Sequence, residues 1–292
     1  MQGFLHPLTC GVPASWLQST KANTDKANTD LGWASKAWRK IASLYIDDIC
    51  VHGPIHTHVN DLAKVLKRLK GNNVSLKMVK CEFAVTKGKF LGHIVHAGKG
   101  ISSDPKKVQG IVQMQRPKTV ADLRTLLGAS SYLRKFIPDF ADVTRPLRLV
   151  QNHFFSKHAT ITEEYWSEDC ENSFNTLKAS LACAPLLAYP DFNKPFIVCC
   201  DASGTQLGAA LCQLVNGVER PIAYASRALT ESERKWGITD LEGAAVVWAL
   251  RMWRPYLISS KVVIITDHSL VAQNKPAEQT AGTLCVGLNG IC

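Results

Sequence analysis

The amino-acid sequence predicts a multi-domain protein in which α+β and α/β regions follow one another. Its 292 residues are enough for about two domains, each with a core of its own. Apolar residues make up 46% and charged residues 20%, which is typical of globular rather than disordered chains. From residue 41 onward, helix-type and strand-type periodicities alternate along the chain. Together these observations predict sheets with helices packed against them.

The pattern of the first 40 residues predicts no helix or strand. A tandem repeat of Lys-Ala-Asn-Thr-Asp at 21–25 and 26–30 has neither a helical nor a strand period, so we expect a loop or disorder there. The composition of the sequence becomes more apolar from Ile41 onward. Apolar residues at 44–46 and 49–51 flank the adjacent Asp47 and Asp48, which predicts two short strands joined at the carboxylates.

A basic amphipathic helix and a small sheet are predicted next. Residues 59–70 place leucines and a valine on one helical face and lysines and an arginine on the rest of the surface. Residues 75–83 and 89–95 then alternate as strands do.

Helical patterns dominate the following segment. Asp104 and Pro105 open one helix, and 120–136 carries an apolar face with basic residues outside it. Pro138, Pro146 and the polar stretch 151–162 are expected to interrupt the helices before another one begins near Cys170. We expect a connector between domains within 150–190.

The last region predicts three strands, a helix and a strand. The strand candidates are 196–200, 207–215 and 221–225, separated by turn residues, which indicates an antiparallel meander. A helix from Thr239 to about Tyr256, capped by Thr239 and Asp240, precedes a buried strand at 262–265.

The net charge favours a polyanionic partner. A formal charge of +10 suits nucleic acid, because lysine and arginine that neutralise phosphates release condensed counterions, although basic proteins also bind anionic membranes. The ten cysteines form no C-x-x-C pair and follow no secretory leader, and the histidines do not join them at zinc-ligand spacing. No apolar run approaches the ~18 residues that cross a bilayer. We therefore expect an intracellular protein of the cytoplasm or nucleus that does not bind membranes.

The adjacent carboxylates of Asp47 and Asp48 have two interpretations. Like charges this close repel unless a cation is present, and a divalent metal would relieve the repulsion. Aspartate is also favoured in solvated hairpin turns, where it needs no catalytic role.

Three further carboxylates occupy positions that can converge. Asp201 ends a strand, Glu242 lies in the first turn of the long helix, and Asp267 ends the next strand. Strand ends and a helix start can meet at one point, where such oxygen ligands suit two hard divalent cations. The alternative is that the aspartates are turn residues and Glu242 complements the helix dipole.

A series of short motifs follows in order along the chain. Tyr45-Ile46-Asp47-Asp48 resembles the Y-x-D-D box of reverse transcriptases, and the motifs at 90–93, 117–119 and 126–138 are similar to the segments that follow it. The motifs at 184–187, 190–192, 201–203, 225–227 and 266–268 are similar to the RNase H-like domain behind those polymerases. As a set these motifs resemble the Pol polyproteins of gypsy-class LTR retrotransposons, and the resemblance runs from about residue 40 to about residue 273 in that family's order.

The resemblance implies a domain order and a set of roles. It implies a divergent segment at 1–40, the C-terminal part of a reverse-transcriptase palm at 41–98, a helical thumb at 99–150, a connector at 151–190 and an RNase H-like mixed sheet with helices, incomplete at its C-terminus, at 191–292. Asp47, with Asp48 beside it, would hold the polymerase metal. Asp201, Glu242 and Asp267 would hold two magnesium ions for RNA hydrolysis. The implied partners are an RNA–DNA hybrid, a primer–template duplex and, in the intact family, a deoxynucleoside triphosphate; the sequence leaves the oligomeric state open.

The sequence departs from that family at both implied sites. The family's aspartate on an earlier strand has no counterpart, since Asp25 and Asp30 lie in the polar repeat, and the fourth acid of the RNase H-like site is absent. We therefore expect a truncated RNA-directed DNA polymerase and ribonuclease H with impaired polymerisation. The alternatives are a catalytically dead nucleic-acid-binding remnant and a decayed chain that does not fold.

Overall fold

The structure is a computed structural model that describes residues 7–12, 41–45, 48–266 and 283–287. It divides into two compact units, Met1–Asp104 and Pro105–Cys292. The predicted boundaries at 40, 98, 150 and 190 stay predictions.

A four-stranded antiparallel sheet in the order β2-β3-β1-β4 lies in the first unit. Its strands are β1 (Pro7–Val12), β2 (Ala42–Tyr45), β3 (Asp48–Pro54) and β4 (Glu82–Val85). The predicted hairpin is confirmed, because β2 and β3 pair with Tyr45 opposite Asp48. The expectation that 1–40 lacks regular structure is wrong for β1, which pairs with β3 along its whole length. The repeat at 21–30 lies outside the described residues.

One helix covers this sheet. Helix α1 (Ile55–Gly71) includes the predicted span 59–70 and buries Val65 and Leu69 against Ile49 and Val51 of β3. Its lysines at 64, 67 and 70 are exposed, as the amphipathic pattern predicts, and Arg68 is half-buried.

A second, three-stranded sheet completes the described part of the first unit. The antiparallel strands are β5 (Lys87–Phe90), β6 (His93–His96) and β7 (Gly100–Ser103). The prediction of a strand over 75–83 is wrong for most of that span, which holds a 3-10 turn at Met78–Lys80. Met78 and Val79 are 61% and 93% exposed, so the alternating pattern there buries nothing that would hold a strand.

The second unit begins with four helices. They are α2 (Pro105–Val112), α3 (Val120–Tyr132), α4 (Phe140–His153) and α5 (Glu168–Ala182). The expectation that Pro146 interrupts the helices is wrong, because it lies inside α4. Proline removes one backbone donor, but Phe140, Thr144, Leu147 and Val150 form a continuous buried face whose packing outweighs that loss.

A five-stranded mixed sheet follows, in the order β10-β9-β8-β11-β12. Strands β8 (Phe196–Ala202), β9 (Gln206–Val215) and β10 (Val218–Ala228) form the predicted antiparallel meander. β11 (Lys261–Ile265) pairs in parallel with β8, and β12 (Thr283–Gly287) pairs with β11 at the edge. Strand β12 was not among the strands predicted from the sequence.

Helix α6 (Ile238–Met252) packs on this sheet and is followed by α7 (Arg254–Leu257). The core between them includes Val198 and Leu211 from the sheet and Ala245 and Ala249 from α6. The predicted cap is corrected: α6 has Gly237 as its N-cap residue, without a side-chain hydrogen bond. Throughout the residues described, no helix combines the length and the apolar character that crossing a membrane requires.

Candidate functional site

Asp201 lies where two parallel strands end. In the pairing of β8 with β11, Cys199 is opposite Ile265, and Asp201 is two residues farther along β8. Because alternate residues of a strand face opposite sides, Cys200 and Ala202 enter the core while Asp201 is exposed. The prediction that Asp201 lies at the end of a strand is confirmed, since it is the second-last residue of β8.

Glu242 is buried beside the same edge. It is only 3% exposed, and the Thr266 hydroxyl donates a hydrogen bond to its Oε2 across 3.3 Å. Burial raises the pKa of the Cys200 thiol to about 12, and the charges of Cys199 and Glu242 add to that shift. Glu242 is thus close both to the residue before Asp201 and to the end of β11. It is the fifth residue of α6 and not part of its first turn, where the acid is Asp240.

The other predicted acids are only partly described. Asp267 follows Thr266 directly in sequence but lies outside the described residues, as does Asp47. Asp48 is half-buried at the start of β3. Within the parts of the chain that the structure covers, no three His, Cys, Asp or Glu side chains are grouped so that they could hold a metal ion.

Asp139 is a neighbour of Asp201 that sequence reasoning missed. A Cβ built on Gly208, the cross-strand partner of Asp201, would lie 2.9 Å from Asp139 Oδ1. Burial raises the pKa of Asp139, the hydrogen bond from Gln206 opposes this, and the negative charges of Asp201 and Asp142 add to the rise. The only signal in the sequence was an aspartate after Pro138, which also fits an ordinary turn.

The comparisons with known proteins define the class of the second unit. Residues 166–264 match the family model described as the RNase H-like domain found in reverse transcriptase. The chain therefore carries an RNase H-like domain of the reverse-transcriptase type.

Curated relatives identify the longer proteins to which the chain is related. It is 38% identical over 235 residues to the Pol polyprotein from transposon opus and 36% identical over 237 residues to that from transposon gypsy, both of Drosophila melanogaster. It is 31% identical over 245 residues to the Tf2-3 polyprotein of Schizosaccharomyces pombe. These alignments cover 78%, 78% and 82% of this chain but only 23%, 22% and 18% of the polyproteins. Over most of its length the chain is thus homologous to Pol polyproteins of gypsy-type and Tf2 LTR retrotransposons, and it spans about a fifth of their length.

Solved structures show the same fold. The foamy viral protease-reverse transcriptase in complex with double-stranded DNA gives a TM-score of 0.72 at 19% identity, covering 95% of this chain and 63% of that one. Its complex with an RNA/DNA hybrid gives a TM-score of 0.71 at 18% identity, covering 90% and 39%.

Proposed function

We propose that this chain binds RNA–DNA hybrid duplexes and hydrolyses their RNA strand with magnesium held by Asp201, Glu242 and Asp267. The observation that carries the proposal is the buried Glu242 carboxylate, fixed by Thr266 beside the strand end that bears the exposed Asp201. The relationship to Pol polyproteins supports the same chemistry.

The donor atoms of this proposed site suit magnesium. All three side chains offer carboxylate oxygens, the ligands that hard divalent cations prefer. When bound, magnesium would activate a water molecule and stabilise the charge that develops on the phosphate. Glu242 would hold its ion in a fixed place because its side chain is buried and hydrogen-bonded. Asp201, which is exposed, would face both the ion and the arriving phosphate.

Basic helices of the second unit are proposed to hold the duplex backbone. Arg134 and Arg148 are both exposed and form no ion pair among the described residues. Arg148 instead donates to the hydroxyls of Thr144, at 3.1 Å, and Ser131, at 3.4 Å. Guanidinium groups held in this way match phosphate geometry without reading base sequence.

The Asp47-Asp48 pair is proposed as the inherited site of nucleotidyl transfer on a primer–template duplex with deoxynucleoside triphosphates. β2 and β3 supply the hairpin that such a site requires. The sequence contains no recognisable carboxylate from an earlier strand, so hydrolysis is the activity proposed for this chain on its own.

A second candidate function is duplex binding without catalysis. It is favoured by the exposed Arg134 and Arg148, which form no ion pair among the described residues. The exposed arginines would give such a protein salt-sensitive binding that does not depend on base sequence.

Incubation with a labelled RNA–DNA hybrid tests the proposal. We expect RNA cleavage that requires magnesium. The cleavage rate should fall by at least about a hundredfold in Asp201→Asn, because the substitution removes a carboxylate charge that would stabilise both the metal ion and the transition state. Asp169→Asn, at an exposed aspartate of α5 in the same unit, is the matched control and should cleave normally. Hybrid binding without cleavage by the wild type would instead support the second candidate. Cleavage unchanged in Asp201→Asn would overturn the assignment of the site.

A further inference from the structure

A cavity of about 560 Å³ lies on the outer side of α6, and none of the roles proposed above uses it. Asp240, Ala244, Trp248 and Arg251 line it. They are three or four residues apart in α6 and so share one helical face. Glu242, on the same helix, is buried among the residues that face the sheet. The cavity and the proposed cleavage site are therefore on different sides of one helix, whose diameter is about 10–12 Å.

Two tryptophans give the cavity an aromatic wall. Trp236, just before the helix, is 47% exposed, and Trp248 is half-buried. Two small residues, Gly243 and Ala244, also line the cavity, and nothing lies within 4 Å of a Cβ built on Gly243. This combination leaves room for a flat ring next to exposed indole surface.

Two arginines line the cavity, and they differ in whether their guanidinium groups are engaged in an ion pair. Arg227 donates to both carboxylate oxygens of Glu233, at 2.8 and 2.6 Å, and its guanidinium carbon is 5.7 Å from the centroid of the Trp248 ring. Its position is thereby fixed and its charge is neutralised. Arg251 is exposed and forms no ion pair among the described residues, so its guanidinium is available to an anion.

We propose that this cavity binds an unpaired nucleotide of a nucleic-acid strand, with the base against the tryptophans and a phosphate on Arg251. The volume lies within the range of small-molecule sites, and indole faces stack on any base. Arg251, which forms no ion pair among the described residues, adds the charge complementarity that a phosphate requires. The inference deepens the proposed function, because a strand passing the Asp201 edge of the sheet could enter the cavity one helix diameter away.

The test compares four labelled ligands by fluorescence anisotropy: a blunt RNA–DNA hybrid, the hybrid with a single-stranded overhang, the hybrid with an abasic overhang, and a free single strand. We expect the overhang to tighten binding by roughly tenfold, the size of one stacked base, and the abasic overhang to tighten it much less. Trp236→Ala and Arg251→Gln should remove that gain while leaving blunt-hybrid affinity unchanged. Phe155→Ala and Arg254→Gln, at exposed residues that do not line the cavity, are the controls.

The outcomes separate this inference from the proposed function. If the blunt hybrid does not bind, the proposed function fails, whereas the cavity is still tested by the free single strand, whose affinity must fall in Trp236→Ala. Equal affinity for blunt and overhanging hybrids, or equal gain from abasic and normal overhangs, would overturn the nucleotide assignment. Sedimentation showing a dimer that Trp236→Ala dissociates would assign the cavity to a second copy of the chain and would also overturn it.

Discussion

The Glu233 side chain shows how one carboxylate can organise a loop. Its oxygens accept both arms of the Arg227 guanidinium and also the backbone N–H and hydroxyl of Thr230. The Glu233 pKa is lowered from its ordinary value of 4.5 to about 2. The main cause is the pair of hydrogen bonds from Arg227, and the hydrogen bonds from Thr230 contribute further. The same contact raises the pKa of Arg227. A single residue thereby joins the end of β10 to the segment before α6.

The depressed pKa of Glu233 predicts a specific acid dependence of stability. A carboxyl group with a lower pKa in the folded state stabilises the protein fully above its unfolded value, near 4.5, and loses that contribution as the pH falls toward about 2. We expect Glu233→Gln to lower the free energy of unfolding at pH 7 by about 1–2 kcal/mol, because charge-assisted hydrogen bonds are lost. The difference between wild type and variant should shrink between pH 4.5 and 2.

Urea denaturation at several pH values measures this difference. Glu231→Gln is a suitable control, since Glu231 is exposed and makes no ion pair among the described residues. If the difference in the free energy of unfolding between wild type and Glu233→Gln stays constant from pH 7 to pH 2, the assigned role of Glu233 is contradicted.

At the residue scale, the order of motifs along the chain predicted Asp201 and Glu242, and their role as metal ligands stays a prediction. Neighbours that come together only through folding could not be predicted in this way. Thr266 was seen only as a residue next to Asp267, and its hydrogen bond to Glu242 depends on how β11 meets α6. Asp139 was missed because nothing local in the sequence indicates that it lies beside Gly208.

At the scale of elements, the start of α4 is held by side chains from a distant part of the chain. Asp139 adopts a left-handed backbone conformation, with a φ of 49°, and its side chain does not cap the helix. The first backbone donors find other partners: Ala141 N donates to Ser226 Oγ at 2.8 Å, and Asp142 N donates to Gln206 Oε1 at 3.1 Å. The helix is thereby fixed to strands β9 and β10 by polar contacts that also satisfy its end.

This arrangement predicts that Gln206 is a stabilising residue of the second unit. Gln206 is 5% exposed, and its amide also donates to Asp139 Oδ1 across 3.1 Å. We expect Gln206→Leu to lower the free energy of unfolding by roughly 1–3 kcal/mol, since buried donors and acceptors lose their partners. Leu214→Ala, at a 53% exposed residue of the same strand, should change it far less. Thermal unfolding monitored by circular dichroism checks both variants, and equal melting temperatures would contradict the role of Gln206.

Most elements could be predicted from periodicity, and the exceptions have physical causes. α1, α3, α5 and the meander each bury a face whose spacing is visible in the sequence. α4 was missed because Pro146 is a strong local signal, whereas the face that overrides it becomes apparent only through packing. β1 and β12 were missed because their stability comes from pairing with β3 and β11 and not from local pattern.

At the scale of the whole molecule, the positive charge is the property that the sequence revealed most directly. The net value of +10 predicted a polyanionic partner, but not which lysines and arginines are free to meet it. The structure separates them: Lys64, Lys89 and Lys194 are engaged with aspartates, whereas Arg134 and Arg148 have no acidic partner among the described residues. Partial desolvation lowers the pKa of Arg148, which is exposed on one side, and the nearby charge of Arg134 adds to this shift, which indicates a local concentration of positive charge.

That concentration predicts how the affinity for duplexes depends on salt. Each phosphate neutralised by a cationic side chain releases counterions, so the logarithm of the binding constant falls linearly with the logarithm of salt concentration. If Arg134 and Arg148 each contact a phosphate, Arg134→Gln and Arg148→Gln should each reduce the slope by about 1 and weaken binding equally for all sequences. Lys194→Gln, which removes a lysine 3.7 Å from Asp191, should leave the slope nearly unchanged. Anisotropy titrations of an RNA–DNA hybrid at several salt concentrations measure the slopes. If the arginine variants keep the wild-type slope, the duplex backbone lies elsewhere on the protein.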